Sequence, residues 1–158
     1  MFQDKKLIES GYREFIKDIV AKGEVWMLED GESAGVSTSN EFFNEDGEEM
    51  GVVLFWYKKS HAQSVAVQEW SDYKPVPVAL DVFLEFSVIQ ISNEDMLMGI
   101  NWTPSMTGKE IHPIEIAIDI IAELEATGKP IALKHHTDLA AYKEITMRVS
   151  EEIFGHDE

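Results

Sequence analysis

Cysteine is missing from the chain, which excludes disulfides, thiol catalysis, cysteine-ligated zinc and iron–sulfur clusters together. Bases are scarce. Lys and Arg number 13 against 30 Asp and Glu, a formal net charge of −17. A field of that sign repels phosphate backbones and anionic membranes, and the few bases are scattered, so neither nucleic acid nor a membrane is an expected partner. No apolar run approaches the roughly 18 residues of a membrane span, and the opening MFQDKKLIESGYREF holds none of signal-peptide length. A soluble protein of the reducing cytoplasm is expected. The glycine-rich phosphate motifs are also missing, as is any His-x-x-x-His or His-Glu-x-x-His pair, so no cofactor or metal is expected.

What the chain does have is tryptophan in punctuated apolar runs. All four indoles lie between Gly23 and Trp102, within GEVWML, GVVLFWYKK, QEWSDYKPVPV and MLMGINW. At 158 residues one domain suffices, large enough to bury about two thirds of its unfolded surface. Tyr12, Phe15, Ile16 and Ile19 recur at helical spacing and Lys22-Gly23 stops the turn, which predicts a helix over 4–22. Residues 25–28 read as a strand, Asp30-Gly31 as a hairpin turn and 35–39 as the return strand. After a second turn at Asp46-Gly47, residues 52–57 are apolar throughout and predict a central strand covered on both faces.

Ser60 is placed to cap a helix with Ala62, Val65, Ala66 and Trp70 on one stripe. Pro75 and Pro77 confine residues 74–78 to an edge strand or connector. Asp81 opens a short helix through Phe86, and residues 96–102 form a second buried strand. His112-Pro113 starts a helix running through Ile116, Ile120 and Leu124 to Thr127-Gly128. A last helix over about 137–154 carries Leu139, Tyr142, Ile145, Val149 and Ile153, a stripe that packs on the chain's own sheet or covers a second subunit. The first arrangement is preferred, and the protein is expected as a monomer or homodimer. The expected fold is a single α+β domain, residues 1–158, with a small mixed or antiparallel sheet of about five strands flanked by helices. Residues 128–158 add a C-terminal helical extension.

The succession GEVWMLEDGE, LFWYKKSHAQSVAVQEWSDYKPVPVALDVFLE and GINWTPSMTGKEIHPIEI resembles the bacterial family known as domain of unknown function 2750. The shared pattern is a Gly-x-Val-Trp strand, a strand ending in Trp before a helix closing with Glu-Trp, a Tyr-x-Pro-Val linker leading to Asp-x-Phe-Leu, and a Gly-x-Asn-Trp strand. It covers about residues 10–125 and implies no reaction. The stretch 37–50 and the tail after Thr127 depart from it, and a role lodged there does not carry over.

Candidate chemistry is sparse. The histidines are His61, His112, His135, His136 and His156. Lys134-His135-His136-Thr137-Asp138 gathers two imidazoles and a carboxylate, yet adjacent side chains diverge, and the preferred reading is exposed imidazoles before a helix capped by Thr137 or Asp138. Gly31-Glu32-Ser33-Ala34-Gly35 matches Gly-x-Ser-x-Gly literally, but no helix pattern follows it, so it reads as a turn rather than a nucleophile elbow. Asp81 and Glu85, one helical step apart, read as a solvated pair. Trp70, Asp72 and Tyr73, with Asn101 and Trp102, are candidate binding residues, because indoles at element ends can line a groove; the preferred reading is that Trp70 closes its helix on the core. Between Glu29 and Glu49 eight acids occur with no base, including Glu45, Asp46, Glu48 and Glu49. They read as a solvated face, or more sharply as a lure for a basic protein.

Three function classes follow. The first is a non-catalytic binding or regulatory module, immunity-like or adaptor-like, that recognises a basic protein. A small-ligand sensor with a pocket near Trp70 and Trp102 is the second. An enzyme assembling His61, Asp72, His112 and His135 is the third. The preference runs in that order, away from catalysis.

Overall fold

The computed structural model describes residues 2–155. Helix α1 (Phe2–Lys22) leads into β1 (Glu24–Glu29), β2 (Val36–Phe43) and β3 (Glu49–Trp56). Then come α2 (Lys59–Val65), β4 (Lys74–Ala79), α3 (Leu80–Val82), a π-turn (Phe83–Ser87) and α4 (Val88–Asn93). The chain continues through β5 (Leu97–Ile100), β6 (Lys109–Ile111), α5 (Pro113–Thr127) and α6 (Leu139–Phe154). The strands form one mixed sheet in the order β4-β1-β3-β5-β6, with β2 also on β3. This is an α+β single-domain fold.

Strand β3 is central because its residues are apolar on both faces. Val53 and Phe55 join Phe15, Ile19, Phe83, Met98 and Ile120 on the side covered by α1, the α3–α4 helix and α5. Val52, Leu54 and Trp56 join Leu28, Ala62, Val65, Leu97 and Trp102 on the other. β5 runs parallel to β3, pairing Val52 with Leu97 and Phe55 with Ile100; the other pairings are antiparallel. β4 holds the edge beyond β1, where Pro75 and Pro77 are tolerated.

Several expectations are corrected. Residues 35–39 do not return along β1. Asp30 to Ser33 make a small turn in which the Asp30 carboxylate accepts the amides of Glu32 and Ser33, closed by a single bridge between Glu29 and Ala34. The chain then resumes as β2 along the edge of β3 that β1 also uses, with Val36 opposite Val53 and Trp26 opposite Trp56. The Asp30-Gly31 turn is therefore a bump between two strands lying on one edge. Asp46-Gly47 does join an antiparallel pair, β2 and β3.

Ser60 does not cap α2: Lys58 occupies the N-cap without a side-chain bond, and the helix ends at Val65. Trp70 sits in a separate 3-10 turn (Gln68–Trp70). The helix expected over 81–86 runs on to Asn93 through the π-turn. β6 was not foreseen, since its three residues, Lys-Glu-Ile, carry no apolar run. His112 and Asp138 do cap their helices, accepting the amides of Ile114 and Ala141.

The last helix is turned relative to its expected stripe. Tyr142 and Thr146 are buried while Ile145 is 46% and Ile153 43% exposed. The reason is its neighbour: α6 packs on α5 rather than on the sheet, and Tyr142 donates to the carbonyl of Leu84 at 2.7 Å. A helix against one helix buries a narrower strip than a helix against a sheet.

Candidate functional site

The Gly-x-Asn-Trp stretch shows how the sequence builds its own fold. Asn101 has φ 58, a left-handed conformation that Asn tolerates, and it turns the chain so that Trp102 folds back over the strand it has just left. A Cβ at Gly99 would lie 2.6 Å from the Trp102 Nε1, and one at Gly108 2.7 Å from its Cδ1. Both glycines therefore form the slot for that indole, which donates to the carbonyl of Lys109 at 3.1 Å. Gly35 receives Trp70 in the same way.

Beside this stretch runs a trough under the N-terminal half of α1. It comprises depressions of about 430 and 500 Å³ that share Leu7, Gly11, Asn101 and Thr103. Tyr57, His61 and Ser64 close one end. The Asn101 amide donates to the carbonyl of Gly11 at 3.0 Å, while its Oδ1 is buried without a hydrogen-bond partner.

A larger groove of about 560 Å³ lies between the sheet and the α3–α4 helix, on the face of the sheet that α1 also covers. Its floor is Met27, Val53, Phe55 and Val78, and its far wall is Val82, Phe86, Ser87 and Ile91 from the α3–α4 helix. Glu29, Glu32 and Glu94 stand among its lining residues, with no Lys or Arg. Val82, Phe86 and Ile89, at helical spacing, are exposed, Phe86 by 60%. That helix is apolar on the core side and again on this one, a signal the sequence contains in residues 80–91 but which the short helix expected there concealed.

Behind the same wall, the carboxylate of Glu85 is held by the C-terminal segment. It accepts the amides of Lys134 and His135, each at 2.7 Å, and pairs with Nδ1 of His136 at 2.8 Å. Burial pushes this carboxyl up, but the His136 imidazole and the two amides outweigh it and hold it below the ordinary range. The expected solvated pair Asp81–Glu85 is thus corrected, for the Glu85 side chain is only 3% exposed. The expectation that both imidazoles are free is corrected too: His135 is exposed, but His136 stacks edge-on against Tyr142 at 5.0 Å.

The remaining candidates fall apart in space. Trp102 is buried and Asn101 half-buried; both line the trough. Trp70 packs against Tyr73 at 4.9 Å, and neither borders the trough or the groove. Asp72, Glu45, Asp46, Glu48 and Glu49 are exposed. His61, Asp72, His112 and His135 are joined by no hydrogen bond among the described residues. His112 instead caps α5, and burial holds its imidazole below the ordinary value of 6.5 despite the raising influence of Asp95. Among the described residues no group of three His, Asp or Glu is placed to hold a metal ion, and no helix is long and apolar enough to cross a membrane. His156 lies outside the described residues.

The fold and its grooves define a small α+β domain organised around one central strand and two buried indoles. The family model described as protein of unknown function DUF2750 matches residues 12–120, and the chain belongs to that family. No curated protein and no solved structure matches it.

Proposed function

We propose that this domain is a partner-binding module of the cytoplasm, whose groove between the sheet and the α3–α4 helix receives an apolar protein segment flanked by Lys or Arg. One observation carries the reading: a groove of about 560 Å³ with an apolar floor whose only charged lining residues are Glu29, Glu32 and Glu94. An apolar floor supplies affinity and an acidic rim selects a basic occupant. The exposed Phe86, Val82 and Ile89 widen the apolar surface beyond a scatter of single residues. Glu45, Asp46, Glu48 and Glu49, all exposed, extend the field that draws such a partner in. A second copy of the chain fits poorly, because its own charge of −17 meets the same acids.

Fluorescence anisotropy with a short synthetic peptide of alternating Leu and Lys tests this. Wild type is expected to bind at low salt and to weaken steeply as salt rises. Phe86→Asp is expected to abolish binding and the double change Glu32→Lys, Glu94→Lys to reverse the preference toward a Leu–Glu peptide. Equal binding by wild type and Phe86→Asp overturns the reading.

A small-ligand reading is favoured by the trough. Gly11 sits inside α1, where glycine weakens a helix, yet a Cβ there would make only an ordinary 3.5 Å contact with Asn101. The fold does not require that glycine, whereas an occupant lying close to the helix backbone does.

A further inference from the structure

The partner groove and the C-terminal segment meet at a single turn of helix. We propose that the segment after Gly128 regulates the groove by holding the π-turn between α3 and α4, an inference that rests on the partner-binding reading of that groove. A π-turn accommodates one residue more than the regular helix and is retained where its surroundings demand it. Here Phe86 and Ser87 of the turn line the groove. The preceding Glu85 is instead gripped from behind by Lys134, His135 and His136. Tyr142 adds a second tie, its hydroxyl donating to the carbonyl of Leu84 at 2.7 Å.

A carboxylate with a side-chain exposure of 3% stays buried only while donors satisfy it. Loosening those donors favours a turn in which Glu85 reaches water. Relaxation of the π-turn to a regular α-helix takes the extra residue into the regular winding and rotates the parts of the helix on either side by about 100° relative to each other. Val82, before the turn, then no longer forms one wall with Gln90 and Ile91, after it. The helix thus has two discrete arrangements, and the C-terminal segment selects the one that forms the groove. Every donor in the latch lies beyond residue 120, where the family match ends, so the regulation belongs to this chain's extension and not to the family core.

The test uses the full chain and the Leu–Lys peptide. Coupling is reciprocal, so peptide binding to wild type is expected to slow amide exchange at residues 134–136; unchanged exchange there overturns the proposal. The double variant His136→Ala, Tyr142→Phe is expected to lose about tenfold in peptide affinity and to exchange faster over residues 83–90. Tyr142→Phe alone serves if the double variant does not fold. A folded variant with wild-type affinity overturns the regulation, while loss of binding in Phe86→Asp shows that the groove reading still stands. Failure of wild type to bind the peptide overturns both.

Discussion

The indole Nε1 of Trp56 donates to the carbonyl oxygen of Trp102 at 2.8 Å. Both side chains are buried, Trp56 fully and Trp102 to 2% exposure, so the parallel strands β3 and β5 are tied at their ends by a bond shielded from water. The strand end at Trp56 and the Gly-x-Asn-Trp stretch are thereby one structural unit.

Trp56→Phe keeps most of the apolar volume but leaves the Trp102 carbonyl unpaired, and is expected to lose about 1–3 kcal/mol. Trp56→Ala adds a cavity and is expected to lose about 3–5 kcal/mol. Urea unfolding curves check both; a wild-type midpoint for Trp56→Phe would mean that the hydrogen bond contributes nothing.

Two glycines are expected to respond in opposite directions to alanine. At Gly99 the new Cβ would lie 2.6 Å from Trp102, 2.7 Å from Leu54 and 2.8 Å from Val52, and overpacking of this kind destabilises by about 1–3 kcal/mol. Gly11→Ala is expected to stabilise by about 0.5–1 kcal/mol through helix propensity. Thermal melts of the two variants, set beside wild type, read the signs directly.

Acid is expected to destabilise the fold in two separate windows. The imidazole of His112 is depressed in the folded state by burial, and its Nδ1 must accept the Ile114 amide at 3.1 Å. The unfolded chain takes up that proton first, so stability is whole above about 6.5 and falls as pH drops toward the lowered folded value. His112→Asn keeps a cap and is expected to remove this slope. Glu85 acts at lower pH. Its contribution is present above the ordinary carboxyl value of 4.5 and is lost as pH falls through its lowered folded value. Denaturant midpoints followed from pH 8 to pH 3 for wild type, His112→Asn and Glu85→Gln separate the two.

Truncation before Gly128 removes α6 and the latch on Glu85 together. The remaining chain still contains the family-matched residues 12–120 and is expected to fold, with a lower melting temperature and a tendency to aggregate where α5 loses its cover. Differential scanning calorimetry with light scattering checks this; a melting temperature equal to that of the full chain would show that the tail adds no stability.

Much of the fold was legible because local rules decided it. Apolar runs without alternation marked β3 and β5, prolines marked β4 as an edge, and His112-Pro113 with Gly128 bracketed α5, each through the chemistry of a few adjacent residues. The family likewise followed from spaced motifs. Three things depended on residues far apart. That β2 follows the edge of β3 is set by the register Val36–Val53, which the Asp30-Gly31 turn cannot specify. Which side of α6 is buried was decided by α5 and by the Leu84 carbonyl. The burial of Glu85 was decided by residues about 50 positions later. Composition and periodicity constrain neighbours along the chain and so determined the elements, the charge and the absence of disulfides. The groove and its latch arise where the α3–α4 helix meets strands from one part of the chain and a loop from another. Only the tertiary structure, in which burial forces distant polar groups to find each other, could place them.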